Sequence, residues 1–399
     1  MKWYEAVVIV CILLHSVLDI YVFYGPFTFG NVADVIALFL CVVSRKKENR
    51  IPSAIWWYIG YCIIASAATL NSWQSLVPIG FILQVAALVA TFRLVKLSNL
   101  IKIYRILGFI TTLFFVFQYI SFTFFDVKIS GVLDFLPIAL GEDDFLSVLE
   151  MRDRQSSIFS EPAHFADFLL PLLLIELFYQ KGKGSIILII LSVFSLIFSM
   201  SGTGLLGLVV IGVLFLINHI MENPNVKRVS LAFVIILAIP VAAYYYSHSE
   251  MGEMVLGRAD DVKSAQNAAR VSSEYVRLFR GYDIYGELSL TEKVFGCGDK
   301  NNIIKGITKT RYSSLFDSEN FYFNGVSTIL LYTGIIGLLL YYWALLTIWK
   351  KNSFAGRTFV ILLITLMLIG SIVLNATAVI LLFLSSTIKS KQIRLIKSS

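Results

Sequence analysis

What most constrains this chain is the recurrence of apolar stretches roughly 17–25 residues long, each able to cross about 30 Å of hydrocarbon as a helix. They run along nearly all of its 399 residues. Inside a bilayer every backbone N–H and C=O must be paired within the protein, so such stretches become helices or strands of a closed barrel. The period-2 alternation of barrel strands is missing. A chain 57% hydrophobic and only 15% charged, with 31 Phe, also lies outside the soluble norm. The expected fold is an all-α integral membrane protein.

Twelve spans are expected, near 3–23, 28–43, 53–70, 75–92, 103–125, 162–179, 185–199, 203–219, 229–247, 324–348, 358–373 and 375–388. The last two come from one apolar run, divided at Asn375 and Thr377 because 31 residues are too many for a single tilted helix. With the N-terminus in the cytoplasm, clusters such as Arg45, Lys46, Lys47 and Arg50, or Lys350, Lys351 and Arg357, fall inside. The short outward turns near 71–74, 200–202 and 374 carry no Lys or Arg. That asymmetry predicts both termini inside and makes most of the +7 net charge topological, which argues against a nucleic-acid partner. The first segment, beginning after Lys2, lacks a small-residue cleavage site and is expected to be retained. The four cysteines suggest neither a disulfide framework nor a Cys/His metal site. Residues 1–399 therefore form a single polytopic domain with two long outward loops, about 126–160 and 248–323. The second loop carries patterned aromatic and charged residues, which predicts amphipathic helices lying on the membrane.

Chemistry-bearing residues gather at a few places. Arg154-Gln-Ser-Ser-Ile-Phe-Ser-Glu-Pro-Ala-His164 leads into an apolar run, setting Arg154, Ser157, Ser160, Glu161 and His164 at the mouth of one helix. These groups suit an anionic, lipid-borne substrate: Arg154 for its charge, Ser157 and His164 for sugar hydroxyls, Glu161 for a proton. Glu161 also precedes Pro162, a good first helical residue, so it equally fits a carboxylate offsetting a helix dipole. Residues 268–280 read as an amphipathic helix with Arg270, Arg277 and Arg280 within about 80° of one face, and with Val271, Val276 and Phe279 to pack it down. Three guanidiniums on one face can clamp a diphosphate bidentately. The same spacing fits an interfacial helix whose arginines meet lipid headgroups. Before the tenth span, Glu319 and Asn320 suit general-base work or hydroxyl recognition. Ser201-Gly-Thr-Gly204 reads as a tight hairpin rather than a phosphate loop. Asp19, Asp34, Asp167 and Glu176 are acids within the spans, where such groups face a cavity or a partner.

The chain lacks a Gly-rich phosphate loop with Lys, a dinucleotide fingerprint and an outward Asp-x-Asp pair, so no cofactor and no metal are expected. The Arg-x-Ser-Ser-x-Phe-Ser-Glu-Pro-x-His-Phe stretch, Ser201-Gly-Thr-Gly204, the spaced outer-loop arginines, Glu319-Asn320 and Gly334-Ile-Ile-Gly337 together resemble the Wzy-type O-antigen and capsular polysaccharide polymerases. These belong to the wider O-antigen polymerase and ligase superfamily. The resemblance covers the whole chain in architecture but only about four short motifs in residues. It implies a GT-C-like fold and a glycosyltransferase of the bacterial cytoplasmic membrane. Such an enzyme joins undecaprenyl-diphosphate-linked oligosaccharide repeat units on the outer face. The implied partners are that lipid-linked substrate, membrane lipid and a polysaccharide chain-length regulator. By the same resemblance Arg154 and the set Arg270, Arg277 and Arg280 match the family's outer-loop arginines. Related ligases carry a His-Asn pair where this chain has Glu319-Asn320, which favours a polymerase and leaves Glu161 or Glu319 as base. A ligase acting on another acceptor and a flippase for lipid-linked sugars are the alternatives.

Overall fold

A computed structural model describes residues 1–25, 27–44, 48–69, 77–133, 136–138, 154–179, 183–222, 276–298, 300–307 and 323–388. These residues are 79% helical, and the only strands among them are two short ones. The chain is an all-α membrane protein. Among the described residues, three helices are long and apolar enough by themselves to cross a bilayer: Leu97–Phe125, Gly202–Met221 and Gly325–Lys351.

The first half of the chain carries α1 (Trp3–Leu13), α2 (His15–Leu18), a hairpin of β1 (Val22–Tyr24) and β2 (Phe27–Thr28), then α3 (Phe29–Ser44), α4 (Ser53–Thr69), α5 (Val77–Leu94) and α6 (Leu97–Phe125). After the first outer loop come α7 (Pro162–Phe178), α8 (Lys183–Phe198) and α9 (Gly202–Glu222). The described part of the second outer loop holds a π turn at Val276–Arg280, then α10 (Gly281–Glu287), α11 (Leu290–Phe295) and α12 (Lys300–Ile307). The last three are α13 (Gly325–Lys351), α14 (Phe354–Ile369) and α15 (Ala376–Thr387).

Helices occupy eleven of the twelve predicted stretches; 229–247 lies outside the described residues. The boundaries differ in instructive ways. The predicted span 3–23 ends its main helix at Leu13, because His15 and Asp19 are drawn into side-chain bonds and the chain then turns into the hairpin. The fifth helix starts at Leu97 rather than 103, since a buried carboxylate from α1 receives its N-terminus. Glu5, 1% exposed, accepts from the Lys96 amide and from Asn99 Nδ2, both at 2.8 Å. A carboxylate there offsets the positive end of a 29-residue helix. The run 358–388 does break, but over Gly370–Asn375, where Asn375 caps α15 by accepting from the Ala378 amide at 3.1 Å.

The α7 helix lies at the centre of the core. It is buried from Phe165 to Glu176 with only Asp167 partly open, and packs against α6, α8, α9, α14 and α15. Small residues on its neighbours permit the approach: a Cβ on Gly207 of α9 would lie 2.4 Å from Leu170, and one on Gly108 of α6 would lie 2.1 Å from Leu172. Two polar groups within α7 are answered from α6. Arg105 Nε sits 2.8 Å from the buried Glu176 carboxylate, and the Tyr104 hydroxyl donates to the Phe168 carbonyl near the interior Pro171. Glu176 thus behaves as an intramembrane acid should, with a partner.

The α13 helix is broken at Gly334, whose φ of 63° and ψ of −167° are essentially open to glycine alone. The chain before α13 docks into the break. The Cys297 amide donates to the Leu331 carbonyl at 2.8 Å and the Gly298 amide to the Tyr332 carbonyl at 2.9 Å. Backbones touch here: a Cβ on Gly334 would lie 2.3 Å from the Val294 carbonyl oxygen, and one on Gly296 the same distance from that of Tyr332. The α4 helix clamps the loop from the other side, with Tyr61 donating to the Phe295 carbonyl at 3.2 Å and Ser66 to that of Gly298 at 3.3 Å. A second small core of Ile284, Leu288, Cys297, Ile303, Phe323 and Leu331 holds α10–α12 on the outer half of α13.

Gly334→Ala is expected to destabilise the protein by roughly 1–3 kcal/mol through backbone strain alone, and more through the clash with Val294. Thermal loss of the folded, detergent-solubilised protein on size exclusion checks this. Gly212→Ala, where a Cβ meets nothing within 4 Å, is the control that should melt like the parent.

Candidate functional site

The stretch that leads into α7 folds by burying its alternate residues. Phe159 is 1% exposed and packs its ring against Phe165 and Phe168, which anchors the entry to the helix. Glu161 takes the N-cap position with Pro162 after it, as the residue order predicts. Its side chain makes no capping hydrogen bond. The carboxylate is therefore not held by the helix amides. Ser160 Oγ lies 3.0 Å from His164 Nδ1, one turn along, and His164 is exposed. Arg154 reaches across to the turn between α8 and α9, donating to the Met200 carbonyl at 3.4 Å. That turn is the predicted hairpin, closed by Ser201 Oγ accepting from the Gly204 amide at 3.3 Å. Ser160, Glu161 and His164 thus share the start of α7, and Arg154 sits on the turn whose Gly204 lies against Ala166 of the same helix.

Ser157 does not belong to that accessible group. It is fully buried, holds a φ of 57°, and donates its hydroxyl to the Thr111 carbonyl at 2.8 Å. Its carbonyl accepts from Gln118 Nε2 at 3.1 Å, and the same amide donates to the Ile129 carbonyl at 2.9 Å. Ser157 is better corrected from a sugar contact to a tie that holds the loop on α6. Gln118, the other half of that tie, carries no sequence signal: it is one of several polar residues in an apolar helix.

A buried acid–imidazole group abuts this mouth. His15 Nδ1 lies 3.3 Å from Asp19 and Nε2 3.1 Å from Asp34, while the Thr28 hydroxyl donates to Asp19 at 2.6 Å. Asp34 is 3% exposed; the Asp19 side chain is 46% exposed and lies within electrostatic reach of His164. The sequence marks Asp19 and Asp34 as acids needing partners. It does not mark His15, which joins them.

Of the diphosphate-binding set, Arg270 lies outside the described residues, as do Glu319 and Asn320 before the tenth span. Arg277 sits in the π turn and Arg280 ends it. The expected packing face is reversed here: Arg280 is 5% exposed, whereas Phe279 is 44% exposed. A π turn closes i→i+5 hydrogen bonds, so the 100° step of an α-helix does not carry through these residues. The segment is tied down by Asn324, which caps α13 through the Ser327 amide at 2.9 Å and donates Nδ2 to the Leu278 carbonyl at 2.9 Å. The Tyr282 hydroxyl donates to the same Asn324 side chain at 3.2 Å, and burial raises that phenol above its ordinary range. A cavity of about 330 Å³ opens at the α13 break, and among the described residues none that lines it is charged. It is not a place to hold a diphosphate.

No family model matches the chain, and no curated protein matches it either.

Asn324→Ala removes a cap and the tether to Leu278 together, a loss of roughly 1–2 kcal/mol. Hydrogen exchange across 276–282 is expected to speed up by roughly fivefold to thirtyfold while exchange in α7 stays as it was. Equal acceleration in both would mean that Asn324 serves global stability rather than this segment.

Proposed function

We propose that the chain is a polysaccharide polymerase, a metal-independent glycosyltransferase joining undecaprenyl-diphosphate-linked repeat units on the outer face of the cytoplasmic membrane. The observation that carries this reading is the gathering of Arg154, Ser160, Glu161 and His164 at the start of the most buried helix. A guanidinium, a carboxylate and an imidazole near one helix start suit an anionic leaving group and a hydroxyl nucleophile. The twelve-span layout with both termini in the cytoplasm is part of the proposal. Its support is the coincidence of described helices with the predicted stretches, and the absence of Lys and Arg from the short outward turns.

In this mechanism an acceptor sugar hydroxyl attacks the anomeric carbon of the donor chain. The new C–O bond forms as the bond to undecaprenyl diphosphate breaks, and the acceptor proton passes to a carboxylate, Glu161 first and Glu319 second. Arg154, with two of Arg270, Arg277 and Arg280, binds the diphosphate and stabilises the charge that develops as it leaves. His164 and Asn320 orient sugar hydroxyls. Asp19, beside His164, is a further carboxylate at the same mouth. Polyprenyl tails stay in the bilayer throughout.

Purified protein supplied with a synthetic undecaprenyl-diphosphate repeat is expected to yield a ladder on a gel. A single addition to some other acceptor means a ligase, and no covalent product means a transporter. Arg154→Ala is expected to abolish long polymer without removing the protein from the membrane; a normal ladder would take Arg154 out of the mechanism. Arg277→Lys should restore little activity if bidentate geometry matters, since an ammonium is a point charge without the planar fork.

A further inference from the structure

The cavity at the α13 break is walled by α4, α5, the arm of α13 before Gly334 and the 371–375 turn, with Gly298 of the docked loop also in its lining. Its chemistry differs from that of the α7 mouth. Aromatic surface comes from Tyr58, Phe81 and Tyr332, and neutral hydrogen-bonding groups come from Gln84, Ser371 and Asn375. The Gln84 amide has no hydrogen-bond partner among the described residues. At about 330 Å³ the cavity lies at the small end of ligand pockets, which run from about 300 to 1,000 Å³.

The lining discriminates between occupants. An anion entering here would be desolvated with no cation among the described lining residues to meet it. A prenyl or acyl chain would fill the space but leave the Gln84 amide facing hydrocarbon. An uncharged sugar ring satisfies both halves of the lining, with its C–H face against aromatic rings and its hydroxyls toward amide and hydroxyl groups. We propose that this cavity is a binding site for a neutral pyranose, separate from the charged mouth of α7. The assignment stands on the lining alone and does not depend on the polymerase reading.

The test reads binding rather than polymer, so its failure is distinguishable from a failure of that reading. Full-length protein in phospholipid nanodiscs, free of sugar detergents, is mixed with glucose, galactose, N-acetylglucosamine and rhamnose. Saturation-transfer NMR then reports which sugars contact the protein. A Cβ on Gly80, which lines the cavity, meets nothing within 4 Å, so Gly80→Trp can project into the space without displacing a neighbour at the point of attachment. Transfer to at least one sugar is expected, reduced by about tenfold or more in Gly80→Trp, reduced also in Gln84→Leu, and unchanged by inorganic diphosphate. No transfer to any of the four, transfer that survives in both variants, or displacement by farnesol would overturn the proposal. The last result would give the cavity to a lipid chain. Should Gly80→Trp fail to elute as folded protein, Gln84→Leu decides alone.

Discussion

The interaction on which the arrangement most depends is the pair of backbone hydrogen bonds from Cys297 and Gly298 to the carbonyls of Leu331 and Tyr332. A helix broken within a membrane protein frees carbonyls that water does not reach, and each must be paired or pay its full desolvation. Here the outer loop supplies the donors. Only glycine at 296 and 334 allows two backbones to come that close, and the Gly334 conformation admits no other residue without strain. The loop is therefore built into the bundle. Once it is fixed there, α10 and the π turn before it have one place to pack, and Asn324 ties that turn to the start of α13.

Much of the helical layout is legible in the sequence, because long apolar runs leave the backbone no other way to pair. Pro162 after Glu161 marks the start of α7, and Asn375 marks the second start within the last apolar run. What escapes the sequence depends on contacts between distant segments. The Leu97 start of α6 needs Glu5, far away in the chain, and the role of His15 needs Asp34 folded back beside it. Periodicity misplaced Phe279 and Arg280 because local winding departs from the α-helical step. Ser157 looks like its neighbour Ser160 in the motif; only the Thr111 carbonyl beneath it tells them apart. Gly334 and Gly337 are plain as glycines, yet nothing in their spacing reveals which one breaks the helix.

Charged and uncharged chemistry are kept apart. Arg154, Glu161 and His164 cluster on the α7 side, against an acid–imidazole group set in α2 and α3. The described residues that line the cavity at the α13 break carry no charge. In a low-dielectric interior this separation has a physical basis: a nearby unbalanced charge would polarise and reorganise neutral hydrogen-bonding groups, whereas distance and packing leave their geometry intact. The core helix α7, packed on nearly every side, is rigid enough to hold its mouth in place.

Glu5 has a bearing on how the chain is made. Its two hydrogen-bond donors lie 91 and 94 residues further along. During synthesis the first helix emerges with a carboxylate whose eventual partners do not yet exist. The first segment therefore reaches its final seat only after the start of α6 has been translated.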